Sequence, residues 1–213
     1  MLILITIVIM LAVGYAYLRE GMFTAFTMCV NVFAAGLLTF NFWEPIADLL
    51  DPMLNETPFA GLEDSFVMVL LFTAICGLLR LATNNLAPRD LDFPAGLLRG
   101  GAVFFGLVTG YLVAGILMCI LQTIPWHENF MSFEYRVEQN QGLRRVLPPD
   151  RFWLALLHRA GPLQGPFSRG EDYPTFDKDG NFELRYGRYR RYNESGKPHD
   201  YLGETKVKVD DET

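Results

Sequence analysis

The chain has 213 residues, is 51% hydrophobic and 20% charged, and carries a formal net charge of −6 with a mean hydropathy of +0.19. The averages conceal a division: positions 1–124 hold only 4 Lys+Arg and 9 Asp+Glu, against 14 and 15 in positions 125–213. So lopsided a chain is not one water-soluble globule. With no net positive charge to neutralise phosphates, it is not a nucleic-acid binder either.

Four charge-poor apolar runs follow one another, over about 2–18, 22–43, 66–87 and 100–124. Each has about 17–25 residues, the number that ~30 Å of hydrocarbon requires of a helix rising ~1.5 Å per residue. Helices are expected because lipid cannot satisfy open backbone groups, and the runs lack the alternation of a barrel strand. The first run has no basic residue before it and no small-x-small site after Val13-Gly14-Tyr15-Ala16, so it reads as a retained span rather than a cleaved signal. The third contains Arg80. Near a helix end an arginine can lift its guanidinium to the headgroups while its stem stays apolar; the other reading turns it into a polar cavity.

The basic residues near the spans set an orientation. Arg19 lies in the first connection, and Arg89 and Arg99, with Arg80 close by, flank the third. The second connection, 44–65, has no Lys or Arg. The positive-inside rule then places the first and third connections in the cytoplasm, with Arg19, Arg80, Arg89 and Arg99 as anchors, and both termini outside.

Close approach and polar contacts, rather than hydrophobic burial, join helices in lipid. Span four offers Ala102, Gly106, Gly110 and Ala114 at four-residue spacing, widened by Gly101 and Gly115. This is a small-xxx-small packing face, unless it only reflects how common glycine is in membrane helices. Span two adds Gly36 and, near mid-depth, Asn31, expected to bond across to another helix.

Chemistry-bearing patterns are scarce. No Asp or Glu sits in a span interior, which argues against proton or sodium coupling. Cys29, Cys76 and Cys119 fall one to a span, a spacing that suits neither metal nor a thiol pair, and read as apolar fillers. None of the four serines lies in G-x-S-x-G, there is no H-E-x-x-H, and His127, His158 and His199 stand apart. Asp177-Lys178-Asp179-Gly180-Asn181 resembles the start of a calcium loop, but its glycine is misplaced and the closing Glu is missing. A hairpin turn between 173–176 and 182–186 explains it better. The expectation is therefore of a chain without catalytic residues, metal or cofactor.

Beyond the four-helix transmembrane domain (1–126) lie a juxtamembrane segment (127–170) and a polar tail (171–213). In the former, Pro148 and Pro149 end one stretch, Asp150 can cap a short helix over 151–159, and Gly161 and Pro162 end it. Its run Phe152-Trp153-Leu154-Ala155-Leu156-Leu157 suits either a segment at headgroup level, docked on span ends, or the small core of a soluble cap. In the tail Arg185, Arg188, Arg190 and Arg191 interleave with Tyr186, Tyr189 and Tyr192. That pattern fits contact with anionic lipid, polymer or a protein partner, and equally one solvated strand. So polar a tail has no core of its own, so order in it would imply contact with another chain. The fold class expected is thus an all-α membrane protein: four transmembrane helices and a mostly irregular C-terminal region with a short interfacial helix and a hairpin.

The order of spans, the Arg19-Glu20-Gly21 turn, and Arg99 followed by Ala102-xxx-Gly106-xxx-Gly110 resemble the bacterial colicin V production (CvpA-like) inner-membrane family over roughly residues 1–125. The family shows Arg-Gly at the first turn, where Glu20 intervenes here. It shows Asp-Arg-x-x-Gly-x-x-x-Gly-x-x-x-Gly before the last span, where Leu98 replaces the Asp and Ala102 the first Gly. That leaves Asp90 or Asp92 as substitute acidic partners of Arg99. The resemblance implies a multi-pass inner-membrane protein with both termini outside, linked to toxin production or export and envelope homeostasis, and it brings no catalytic residues. The expected role is a non-enzymatic scaffold or accessory subunit of a membrane complex. Its partners would be the bilayer, proteins held through the small-residue face and tail, and a second copy where that face is free. The alternative is a small transporter or channel subunit with Asn31, Gln122, Thr27, Thr73 and Thr109 along a polar path.

Overall fold

A computed structural model describes residues 2–54, 62–86, 94–124 and 149–160, together with Phe182. Five α-helices occupy them: α1 (Leu2–Glu20), α2 (Met22–Leu54), α3 (Glu63–Leu86), α4 (Ala95–Thr123) and α5 (Pro149–Ala160). There is no strand among the described residues. The first four are long and apolar enough to cross a membrane, over windows Ile3–Glu20, Met22–Leu50, Glu63–Asn84 and Gly96–Thr123. Their outward faces carry Leu4, Leu11, Phe26, Val30, Leu70, Leu78, Leu81 and Phe104, all exposed in the isolated chain. Such a coat is unsuited to water and suited to acyl chains.

The turn between α1 and α2 is a single residue. Gly21 stands at φ 97°. Its N–H donates to the Tyr17 carbonyl at 3.1 Å and its carbonyl accepts from Ala25 N–H at 3.1 Å, closing one helix and opening the next. A side chain at that φ is strained, so the glycine of the Arg19-Glu20-Gly21 motif is there for its backbone.

The helices are longer than their charge-free runs. α2 continues past Glu44 through Pro45 to Leu54, and its 33 residues reach about 50 Å. It persists because Phe40, Trp43, Ala47 and Leu50 keep a three-to-four-residue stripe turned to the core while Glu44 and Asp48 fall between them. α3 opens with Glu63 and Asp64, which suit a helix N-terminus, and α4 begins after Pro94.

α2 and α4 form the centre. α1 packs on α4 and α3 packs on α2, while α1 and α3 scarcely meet. α4 is the most enclosed, with 56% of its apolar window buried against 11% for α3. The core joins Val32, Phe40 and Trp43 of α2, Met68 of α3, Leu112, Ile116 and Cys119 of α4, Trp153 of α5 and Phe182.

Phe182 corrects two expectations. It was placed in a hairpin strand, yet its backbone is helical and its ring is buried. The tail at this point is ordered by the chain's own spans rather than by another chain, because a phenylalanine can join a core that the surrounding polar sequence does not announce. The rest of the expected hairpin lies outside the described residues.

Candidate functional site

The small-residue face of α4 is turned to α1. A Cβ placed on Gly106 would lie 2.9 Å from the Gly14 Cα and 3.3 Å from the Tyr17 Cβ; one on Gly110 would lie 2.7 Å from the Met10 Cα and 3.2 Å from the Ile9 carbonyl oxygen. The nearest neighbour of each is a backbone atom, which cannot swing aside, so glycine is required at both positions. Ala102 and Ala114, one turn to either side, are buried. The ladder is therefore filled within one chain. Gly101 instead faces Met22 at the start of α2.

Asn31 donates from Nδ2 to Thr83 Oγ1 at 3.0 Å, a bond between α2 and α3. The hydroxyls of Thr27, Thr73 and Thr109 bond back to carbonyls of their own helices. Gln122 donates to Asp150 at 2.8 Å. Each of the five side chains expected along a polar path thus has its own hydrogen-bond partner, three within their helix and two on another helix.

A second glycine pair, Gly36 and Gly115, has a more distinctive role. Between them sits the indole of Trp153, which is fully buried. A Cβ on Gly36 would lie 2.8 Å from Trp153 Cζ2, and one on Gly115 would lie 2.7 Å from Trp153 Cδ1 and closer still to the Pro149 carbonyl oxygen. Phe33 stacks on the indole at 5.7 Å between centroids and Phe40 tilts against it at 5.9 Å. The indole N–H donates to the Leu112 carbonyl of α4 at 3.0 Å. α5 is thereby keyed into the α2–α4 face by one side chain that fits a notch cut in both helices. Its neighbour Phe152 meets Tyr111 edge-on at 5.8 Å.

The first turn of α5 adds a charge. Asp150 is 3% exposed and its Oδ2 accepts the Gln122 bond. Cys119, also buried, points its thiol at the Asp150 carbonyl at 4.0 Å. The sequence reading found no carboxylate inside the spans; α5 brings one against α4 from outside them. A window along each helix sees only that helix, so it misses a carboxylate delivered by a later segment. Nearby, Ser65 of α3 bonds Thr123 of α4 at 2.8 Å and Glu63 is buried, so this end of the domain is tied by polar contacts between three helices.

Basic residues gather at the opposite end. Arg19 donates to the Tyr15 hydroxyl at 2.7 Å and lies over its ring. Arg80 pairs with Glu20 across α3 and α1 at 3.7 Å. Arg99 stands exposed in the first turns of α4. Arg89, Asp90 and Asp92 lie outside the described residues, as do Arg185, Tyr186, Arg188, Tyr189, Arg190, Arg191 and Tyr192. Among the described residues no group of three His, Cys, Asp or Glu is placed to hold a metal ion.

Four spanning helices in a small-residue-packed array, with a fifth wedged against them, define a polytopic α-helical membrane protein. The family of the colicin V production protein matches over residues 2–138, more than half of the chain, and the chain belongs to that family. The match ends before α5, so the Trp153 key lies beyond the part compared. Neither a curated protein nor a solved structure matches the chain.

Proposed function

We propose that this protein is a non-enzymatic scaffold or accessory subunit of an inner-membrane complex serving toxin production or export and envelope homeostasis. The observation that carries this reading is α5. α5, which follows α4 in the chain, locks Trp153 between Gly36 and Gly115. α5 is then a fixed root, and Phe182 is buried in the same core, which is what a platform presenting the last residues to a partner needs. The ladder of α4 is used up in holding α1, leaving the outer faces and the tail for association. The basic residues near the first and third connections support a topology in which both termini, and the acidic connection after α2, lie outside the cytoplasm.

The test compares the full chain with a version lacking 171–213, each purified in mild detergent. The full chain is expected to run as a discrete complex above its own mass, and the shortened chain to run alone. Identical mass for both, or solute flux through liposomes holding the full chain, overturns the scaffold reading. A cysteine placed at Asn55 reports orientation: labelling by an impermeant reagent in intact cells is expected, and protection refutes the topology.

A further inference from the structure

α1 is held by α4 and α3 by α2, so the two outer helices make almost no contact of their own. Where their ends meet stands one charged group of each sign. Glu20 ends α1, and Arg80 lies six residues before the end of α3, about 9 Å along the axis. Both therefore sit where hydrocarbon gives way to headgroups.

The pair is poorly closed. Arg80 Nη2 and Glu20 Oε2 are 3.7 Å apart, beyond the ~2.7–2.9 Å of a charge-assisted hydrogen bond. The side chains remain 41% and 44% exposed. Arg80 Nη1 rests on the Met28 thioether at 3.8 Å, a weak acceptor. The Tyr17 hydroxyl also accepts from the guanidinium, and Arg19, which could have competed for Glu20, is engaged with Tyr15. A guanidinium has five N–H donors, so these three contacts do not use its full capacity, and beside it lies a carboxylate with open lone pairs at the edge of the hydrocarbon. In that setting unused hydrogen-bonding capacity is costly.

We propose that the loosely closed Glu20–Arg80 pair binds the headgroup of an ethanolamine phospholipid. Its phosphate oxygens accept from Arg80, and its primary ammonium, two carbons away, donates to Glu20. The complement is specific on both sides. A choline headgroup has the phosphate but no N–H for Glu20. A glycerol headgroup has no cation at all and leaves Glu20 facing a phosphate. The site is independent of the scaffold reading, since it uses only α1, α2 and α3.

The experiment uses the full chain in detergent, titrated with dioleoyl phosphatidylethanolamine, phosphatidylglycerol or phosphatidylcholine and read by native mass spectrometry. The ethanolamine lipid is expected to bind about tenfold tighter than either other lipid, the value of one good charged hydrogen bond. Glu20→Gln should erase the preference over choline while keeping phosphate binding, and Arg80→Gln should weaken all three lipids together. Exchanging the charges, Glu20→Arg with Arg80→Glu, keeps both groups at the site and should keep the ethanolamine preference. Equal binding of the three lipids by the native chain overturns the proposal, as does an undiminished ethanolamine preference in Glu20→Gln.

Discussion

Replacing Trp153 by Ala tests whether α5 is held by the notch. In water-soluble cores a Trp→Ala change costs about 3–5 kcal/mol, part of it transfer from water. In lipid that part falls away, because the displaced helix offers its apolar face to acyl chains instead. What remains is the cavity between Gly36, Phe33, Phe40 and Gly115. Roughly 100 Å³ left unfilled, at about 24 cal/mol per Å³, amounts to about 2.4 kcal/mol. The lost bond from the indole N–H to Leu112 adds about 0.6 kcal/mol, the average for such bonds between membrane helices. About 3 kcal/mol corresponds to a local opening populated about 150 times more often. Cys119 is the natural reporter, being fully buried beneath the first turn of α5. With Cys29 and Cys76 changed to Ser, N-ethylmaleimide should modify Cys119 about a hundredfold faster in Trp153→Ala, with helical circular dichroism unchanged. Gly36→Val, which crowds the indole from the other side, should do the same. A Cys119 rate within twofold of the parent in both variants would mean that α5 is not keyed by this side chain.

The other predictions concern the spans. Gly106→Leu, aimed at the Gly14 backbone, should cost at least about 3 kcal/mol and lower abundance in the membrane, whereas Gly77→Leu, with nothing within 4 Å, should be neutral; equal losses in both would remove the case for the ladder. Gly21→Ala should lower the unfolding temperature in detergent through backbone strain of about 1–2 kcal/mol, and Gly21→Asn should lower it less, since asparagine accepts positive φ more readily. A double-mutant cycle of Asn31→Ala with Thr83→Val should give a coupling of about 0.6 kcal/mol, and a value near zero would mean the bond between α2 and α3 adds nothing.

The four spans are legible in the sequence because lipid imposes a length and forbids charge, a constraint strong enough to read without knowing any contact. Their ends are less so. Glu44 reads as a stop, yet the stripe of Phe40, Trp43, Ala47 and Leu50 carries α2 on to Leu54. Spacing also exposed the Gly106–Gly110 ladder as a close-packing face, though nothing in it says that α1 fills the face. Asn31 could be foreseen to bond to another helix, but not to Thr83 in particular.

The α5 site shows why the remainder was hidden. Phe152-Trp153-Leu154 is apolar enough for the headgroup layer, for a soluble cap or for a groove, and composition cannot choose between them. The choice is made elsewhere in the chain, by the absence of a Cβ at Gly36 and Gly115 and by an amide at Gln122 placed to receive Asp150. Since lipid is as apolar as a leucine side chain, burial alone gives a helix no reason to leave the surface for the protein. Shape and hydrogen bonds must supply that reason, and both are properties of pairs of positions far apart in sequence. The same logic separates the two glycine pairs: one accepts a backbone and the other a single indole. Filling the first should therefore disturb the whole array of spans, whereas filling the second should release only α5.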